Sequence, residues 1–215
     1  MRIERSKVRG ALTEFAHAAT GENTIGDIVN KAFEVAQTSF GAHRFVLLQE
    51  EDNGWVASQP VGPPPPPLPS SLRGLFGWFR LNPLIACESD LRKGGFGAMR
   101  GPLKTLMDTY AIDVVVPLVH QESLLAVVGM AIDRKPSFLD RELLRIFRLE
   151  VTAACTNVRL HHKASHLFSL AAEVAMAHNI ELAMVPDEMS GALGPFQWTG
   201  HFGSAGKASS DFWGV

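Results

Sequence analysis

The chain has 215 residues, 46% of them hydrophobic and 20% charged, enough to bury one core with some appended helix but a squeeze for two comparable domains. Its 20 basic and 22 acidic residues are spread along the sequence, for a formal charge of -2. Nothing electrostatic therefore points to nucleic acid or an anionic membrane, and small molecules and proteins remain as partners. The charged opening Met1–Lys7 is followed by no continuous apolar run, so neither a secretion signal nor a membrane anchor is read there, and a cytoplasmic location is expected. Cys87 and Cys155 stand far apart without a CxxC partner, which disfavours a disulfide framework or a thiolate metal site and leaves them as small apolar fillers.

In chain order, Val8 to Ala19 reads as a first helix. A second opens at Asn23-Thr24, where Thr24 and Asp27 have capping-box spacing, and stops at Gly41; Ile25, Ile28, Val29, Ala32, Phe33 and Ala36 form its apolar stripe. From His43 the period changes. Phe45 to Gln49 is a strand, Asp52-Asn53-Gly54 a turn, and Trp55-Val56-Ala57 the returning strand of a hairpin. Pro63 to Pro67, with Pro69, can form neither helix nor ladder and reads as a stiff surface loop, with a polyproline recognition motif as the alternative.

Leu72 to Phe79 is expected to be a short helix, Leu84-Ile85-Ala86 a short strand, Gly94 to Gly97 a turn without the Lys-Ser/Thr of a phosphate loop, and Leu103 to Tyr110 another short helix. The strongest strand signals follow at Ile112–Val119 and Leu124–Ile132, either side of a turn at Gln121–Ser123. Pro136-Ser137 opens a long helix, with Ser137 and Asp140 spaced as a second capping box. Leu143, Phe147, Val151, Ala154 and Val158 make an apolar seam at alternating four and three. No glycine or proline interrupts the chain between Ser137 and Pro186, so the helix is expected to project, and its seam to pair with the same helix of a second copy in a coiled coil.

The order helix, two strands, irregular middle, short helix, two strands, long helix resembles that of GAF domains. The resemblance is carried by Val114-Val115-Val116-Pro117-Leu118-Val119, the polar turn, and Leu124-Leu125-Ala126-Val127-Val128-Gly129-Met130, which is similar to the GAF pairing of a Val-Pro-Leu strand with a Leu-x-Gly-x-Leu strand. Phe138-Leu139-Asp140-Arg141-Glu142-Leu143-Leu144 is similar to the entry of the GAF terminal helix. It implies an α+β fold, a central antiparallel sheet flanked by helices with a long C-terminal helix, serving as a small-molecule sensor. Further on, Glu173, Ala177, Ile180, Glu181, Met184, Val185 and Pro186, then Gly200 to Ala205 and Ser209 to Trp213, resemble the start of SpoIIE-type serine phosphatases of the PPM class. Glu181, Ser204, Ser209-Ser210 and Gly214 depart from that pattern. The organisation implied is an N-terminal helix (1–22), a GAF sensor domain (23–160), a linker helix (161–189) and an incomplete phosphatase start (190–215).

Phosphatases of this class use a pair of hard divalent cations, manganese or magnesium, to activate water. By resemblance Asp211 corresponds to their first metal-site aspartate, but one carboxylate cannot hold two cations, so no catalytic residue is assigned and the chain is expected not to be an enzyme by itself. The ligand pocket of the GAF body is expected between the sheet and the irregular middle, lined by Phe45, Leu47, Phe76, Trp78, Phe79, Val114, Val116 and Met130, against the alternative that all eight are core. Neither the cyclic-nucleotide pattern nor a bilin-attachment motif is present, since Cys87 lacks a neighbouring His, and two cysteines do not reproduce the set used by catalytic GAF reductases. His162 and His166 are spaced to share a zinc on one helix face, but no further ligand stands near and they read as surface. Three functions are in competition: a sensory module controlling a phosphatase output; a ligand-free dimerisation or docking scaffold; and a metal-dependent phosphoprotein hydrolase, open only to a longer chain.

Overall fold

A computed structural model describes residues 10, 15, 25–51, 54–132, 136–184 and 190–200. Gly10 and Phe15 are helical and Phe15 is buried, while the rest of the expected Val8–Ala19 helix, the Thr24 cap, the Asp52-Asn53 turn, Pro186 and Asp211 lie outside the described residues. The chain forms two compact units, Met1–Arg159 and Leu160–Val215.

The first unit is an antiparallel sheet between two helical layers. Helix α1 (Ile25–Phe40) buries Ile28, Val29, Ala32, Val35, Ala36 and Phe40, the stripe its three- and four-residue spacing dictates. It ends where Gly41 takes φ +70° and donates its N–H to the Gln37 carbonyl at 3.0 Å, a left-handed stop that favours glycine. Strands β1 (Ala42–Glu51) and β2 (Gly54–Ser58) form the hairpin, β3 is Ala86–Cys87, and β4 (Val114–His120) and β5 (Ser123–Ile132) form the second hairpin. The sheet order is β2-β1-β5-β4-β3, every neighbouring pair antiparallel. The short strand thus begins at Ala86 rather than Leu84.

Each sheet face has its own core. On one, Phe45, Leu47, Val114, Val116, Val128 and Met130 pack with α1 and with the first part of α5 (Phe138–Met184). On the other, Val46, Leu48, Val115 and Val127 pack with the segment between β2 and β4. That segment holds a 3-10 turn (Ser70–Leu72), α2 (Arg73–Leu81), α3 (Glu88–Arg92), a second 3-10 turn (Gly97–Met99) and α4 (Arg100–Tyr110). The glycine of the Leu-x-Gly-x-Leu pattern has a packing reason: a Cβ on Gly129 would stand 2.4 Å from Ile112 Cδ1.

The proline-rich stretch before Ser70 has no regular structure but is tied to the body, with the Tyr110 hydroxyl donating to the Pro66 carbonyl at 3.3 Å and Gln59 Nε2 to the Pro63 carbonyl. At the start of α5 the second capping box forms reciprocally: the Ser137 N–H donates to Asp140 Oδ2 at 2.7 Å, and the Asp140 N–H to Ser137 Oγ at 3.2 Å. One turn of chain away, Arg141 grips Asp90 with both guanidinium nitrogens at 2.8 Å, tying α5 to α3 by a two-pronged, half-buried ion pair.

The seam Leu143, Phe147, Val151, Ala154 and Val158, whose spacing predicts a partner helix, lies instead against the chain's own sheet. All five side chains are buried in the core of their own chain, under the sheet face that carries Phe45 and Met130. An apolar seam at this spacing satisfies itself equally well against a sheet or against a second helix.

The second unit contains the remainder of α5 from Leu160 and a hairpin, β6 (Ser190–Leu193) and β7 (Phe196–Thr199), turning at Gly194 with φ +61°. His161, His162 and His166 are exposed on this part of α5. Among the described residues no helix is long and apolar enough to cross a membrane, and no group of three metal-ligating side chains comes together.

Candidate functional site

A groove of about 690 Å³ opens beside α2, within the size range of small-molecule sites. The sheet supplies Glu50, Gly54 and Trp55 from the β1–β2 hairpin and Ser123 and Leu124 from the start of β5. The other wall comes from Leu68, Pro69 and Ser70 and from the α2 residues Arg73, Phe76, Gly77 and Arg80. Helix α2 is placed by Leu75, Phe76 and Phe79, which enter the core together with Leu72 just before it, at the spacing of one helical face. That anchoring turns Arg73, Gly77 and Arg80 outward, and all three are exposed.

The fixed centre of the groove is an aromatic pair. The Trp55 indole lies flat on the Phe76 ring, centroids 4.0 Å apart and planes within 4°, joining sheet to helix and leaving Trp55 only half-buried. The side chains of Glu50, Arg73 and Arg80 make no ion pair or hydrogen bond among the described residues. The groove therefore offers two uncommitted guanidinium forks, one uncommitted carboxylate, the Ser70 and Ser123 hydroxyls, and an aromatic platform.

The eight side chains expected to line one pocket are divided between the two sheet faces. Phe45, Leu47, Val114, Val116 and Met130 point to the face covered by α1 and α5 and are buried there, whereas Phe76 and Phe79 belong to the α2 face. Trp78 is half-buried, packed against Phe79 and Phe96 with centroids 5.6 and 6.0 Å away. Of the eight, only Phe76 lines the groove. Because β1, β4 and β5 are apolar on both sides, alternation carries no information about which side faces which helices. The other eleven lining residues, Glu50, Trp55, Arg73, Gly77 and Arg80 among them, are not picked out by sequence reasoning. A usable signal existed in Arg73-Gly74-Leu75-Phe76-Gly77-Trp78-Phe79-Arg80, which carries two glycines inside a helix with no turn to explain them.

Two smaller cavities also lie among the described residues. One, about 230 Å³, lies between Phe45, Arg44, Tyr110 and the prolines 60 and 63–66, where Arg44 Nη1 donates to the Tyr110 carbonyl at 3.1 Å. The other, about 350 Å³, lies between Pro83, Leu84, Ile85 and the α5 arginines Arg141, Arg145 and Arg148. There the Arg148 guanidinium is held below its ordinary range by burial and by the neighbouring Arg145, while Arg141 and Arg145 are committed to Asp90 and Glu142.

The two thiols do not contribute to the groove. Cys87 and Cys155 are buried, and burial pushes each up to about 11, with Arg141 beside Cys87 and Arg159 beside Cys155 offsetting only part of that rise. A thiol so far from its thiolate form is a poor nucleophile for attaching a chromophore.

No protein-family profile matches the chain, and no curated protein matches it in sequence. Its fold is found among solved structures. The native GAF domain of the potassium sensor histidine kinase KdpD from Escherichia coli is 19% identical with a TM-score of 0.50, over 72% of this chain and 96% of that one. A phycoerythrobilin-bound GAF domain from a cyanobacterial phytochrome is 14% identical with a TM-score of 0.52, over 72% and 97%. The GAF domain of an Acinetobacter phosphoenolpyruvate-protein phosphotransferase is 9% identical with a TM-score of 0.52, over 73% and 96%. At these identities the likeness establishes the GAF fold: a five-stranded antiparallel sheet with flanking helices and a long C-terminal helix.

Proposed function

We propose that the chain is a sensory, regulatory GAF module of a bacterial signal-transduction protein, in the cytoplasm, that binds a small molecule in the groove beside Trp55 and does no chemistry of its own. The observation that carries this reading is the groove itself: a volume suited to a small ligand, a stacked Trp55–Phe76 pair, and two arginines that make no ion pair or hydrogen bond among the described residues. Side chains that satisfy one another leave nothing for a ligand to satisfy, and these do not. The three similar GAF domains come from a sensor kinase, a phytochrome and a phosphotransferase, which supports a regulatory role.

The output is proposed to be a SpoIIE-type serine phosphatase, on the resemblance of Glu173 to Pro186 and of Gly200 to Trp213 to the beginning of that domain. Its cation pair needs several carboxylates; Asp211 is one, and no step of the proposed function of this chain passes through a metal. Occupancy of the groove would bias the packing of α2 on the sheet, and the sheet would pass the bias to α5, whose first part shares the opposite core.

A second copy is the proposed partner, through a stripe of α5 other than the buried seam. On the part of α5 that belongs to the second unit, Leu160, Leu167, Leu170 and Val174 are exposed and, with Lys163 counted in, fall at alternating threes and fours, the spacing that two helices wind around. This observation also favours the second reading, a scaffold without ligand. The two readings separate by native mass spectrometry of the chain purified without denaturation. A retained small molecule, lost on Trp55→Ala, is expected; a bare protein mass in every preparation, with dimerisation intact, would replace the sensor by the scaffold.

A further inference from the structure

The face that α2 turns to the groove runs Arg73, Gly77, Arg80, at positions i, i+4 and i+7 of one helix. A rise of seven helical steps sets the two arginine backbones roughly 10 Å apart along the axis, a gap that two long side chains bending toward each other can close. The residue between them has no side chain. Glycine inside a helix is unfavourable, so it needs a local reason, a special dihedral or a close neighbour. Gly77 has neither: its φ is ordinary for a helix, and a Cβ added there would meet nothing within 4 Å. Gly77 lines the groove, and the space beside its backbone is open.

Resting on the reading of this groove as a ligand site, we propose that its ligand is an organic molecule with a dianionic oxyacid group, held over Gly77 by Arg73 and Arg80 while its flat apolar body lies against Trp55. Two guanidinium forks match the two charges and the planar oxygen pairs of such a group. With Glu50 the one carboxylate in the lining, the two arginines leave the site a surplus of one positive charge, which disfavours a simple cation. The bare backbone at Gly77 lets the anion approach the helix between the forks, and the exposed edge of the Trp55–Phe76 stack accepts a ring. A phosphate monoester and a dicarboxylate share this chemistry.

The test is a titration followed by the Trp55 indole and the arginine Nε–H signals in proton–nitrogen spectra. Phenyl phosphate and phthalate serve as the two dianionic probes, and benzyl alcohol as the neutral one. At least one dianion is expected to shift Trp55, Arg73 and Arg80 saturably, at least tenfold more tightly than benzyl alcohol, and the tighter of the two identifies phosphate or dicarboxylate as the source. Gly77→Leu is expected to weaken that binding at least tenfold while the melting temperature stays level or rises, a combination that damage to the fold cannot produce. The double variant R73M/R80M is expected to lose the preference for the dianion. Benzyl alcohol binding as tightly as both dianions would overturn the charge assignment and leave the groove as a ligand site. Unchanged dianion binding in Gly77→Leu or R73M/R80M would overturn the placement. No response of Trp55 to any probe would overturn both this inference and the ligand site it rests on.

Discussion

Gly129 and Gly77 show how the same residue type answers to opposite demands. At Gly129 the absent side chain is filled by Ile112, whose Cδ1 would stand 2.4 Å from an added Cβ in a buried layer. Gly129→Val is therefore expected to destabilise the first unit by about 1–3 kcal/mol, the usual cost of forcing extra carbon into a close-packed core, measured as a lowered urea midpoint with an unchanged slope. An unchanged midpoint would mean that Ile112 swings aside freely. At Gly77 the absent side chain leaves open groove, so a substitution there is read in binding rather than in stability. Nothing in the sequence separates the two cases. Gly129 sits in a strand whose pattern resembles a known one, but what fills the space over it depends on Ile112, a residue 17 positions upstream and packed on the same sheet face.

Elements were legible where hydrophobic period was unambiguous. The β1–β2 and β4–β5 hairpins, α1, and the capping box that starts α5 all stand close to where spacing and turn residues put them. What period could not supply was direction. Strands apolar on both sides gave no way to choose between Phe45 and Val46, or between Val114 and Val115, as neighbours of the irregular middle. The long helix posed the same problem in its own geometry, since it carries two stripes at coiled-coil spacing. The one through Phe147 and Val151 is more strongly apolar, and it is the one the sheet takes up. The one through Leu160, Leu167, Leu170 and Val174 is exposed, and is the one proposed for a second copy. Leu167→Asp with Leu170→Asp would place two carboxylates in that seam and is expected to weaken association at least about 100-fold, or ~3 kcal/mol, read by light scattering after gel filtration. A dimer that persists at the same concentration would show that these positions are not its seam.

At the scale of the whole molecule, fold class came from the order of elements and from one pair of resembling strands, whereas the groove could not be seen along the chain. Its floor joins Trp55 to Phe76 across 21 positions, and its rim brings Glu50, Arg80 and Ser123 together from three elements. Arg73 and Arg80 read in sequence as ordinary solvent-facing helix residues. Only their shared place in the lining of a groove, with no ion pair formed among the described residues, makes them candidates. The sheet also joins the two helical layers: α2 rests on one face, the first part of α5 on the other, and β1, β4 and β5 contribute alternate residues to both cores. The central claim is that a small molecule occupies the groove. The most direct measurement is a crystallographic map, at a resolution that separates individual atoms, of the protein as purified from cells. The account predicts non-protein density against Trp55 with oxygens between Arg73 and Arg80; a groove closed by the protein's own side chains, with those arginines paired to its carboxylates, would contradict it.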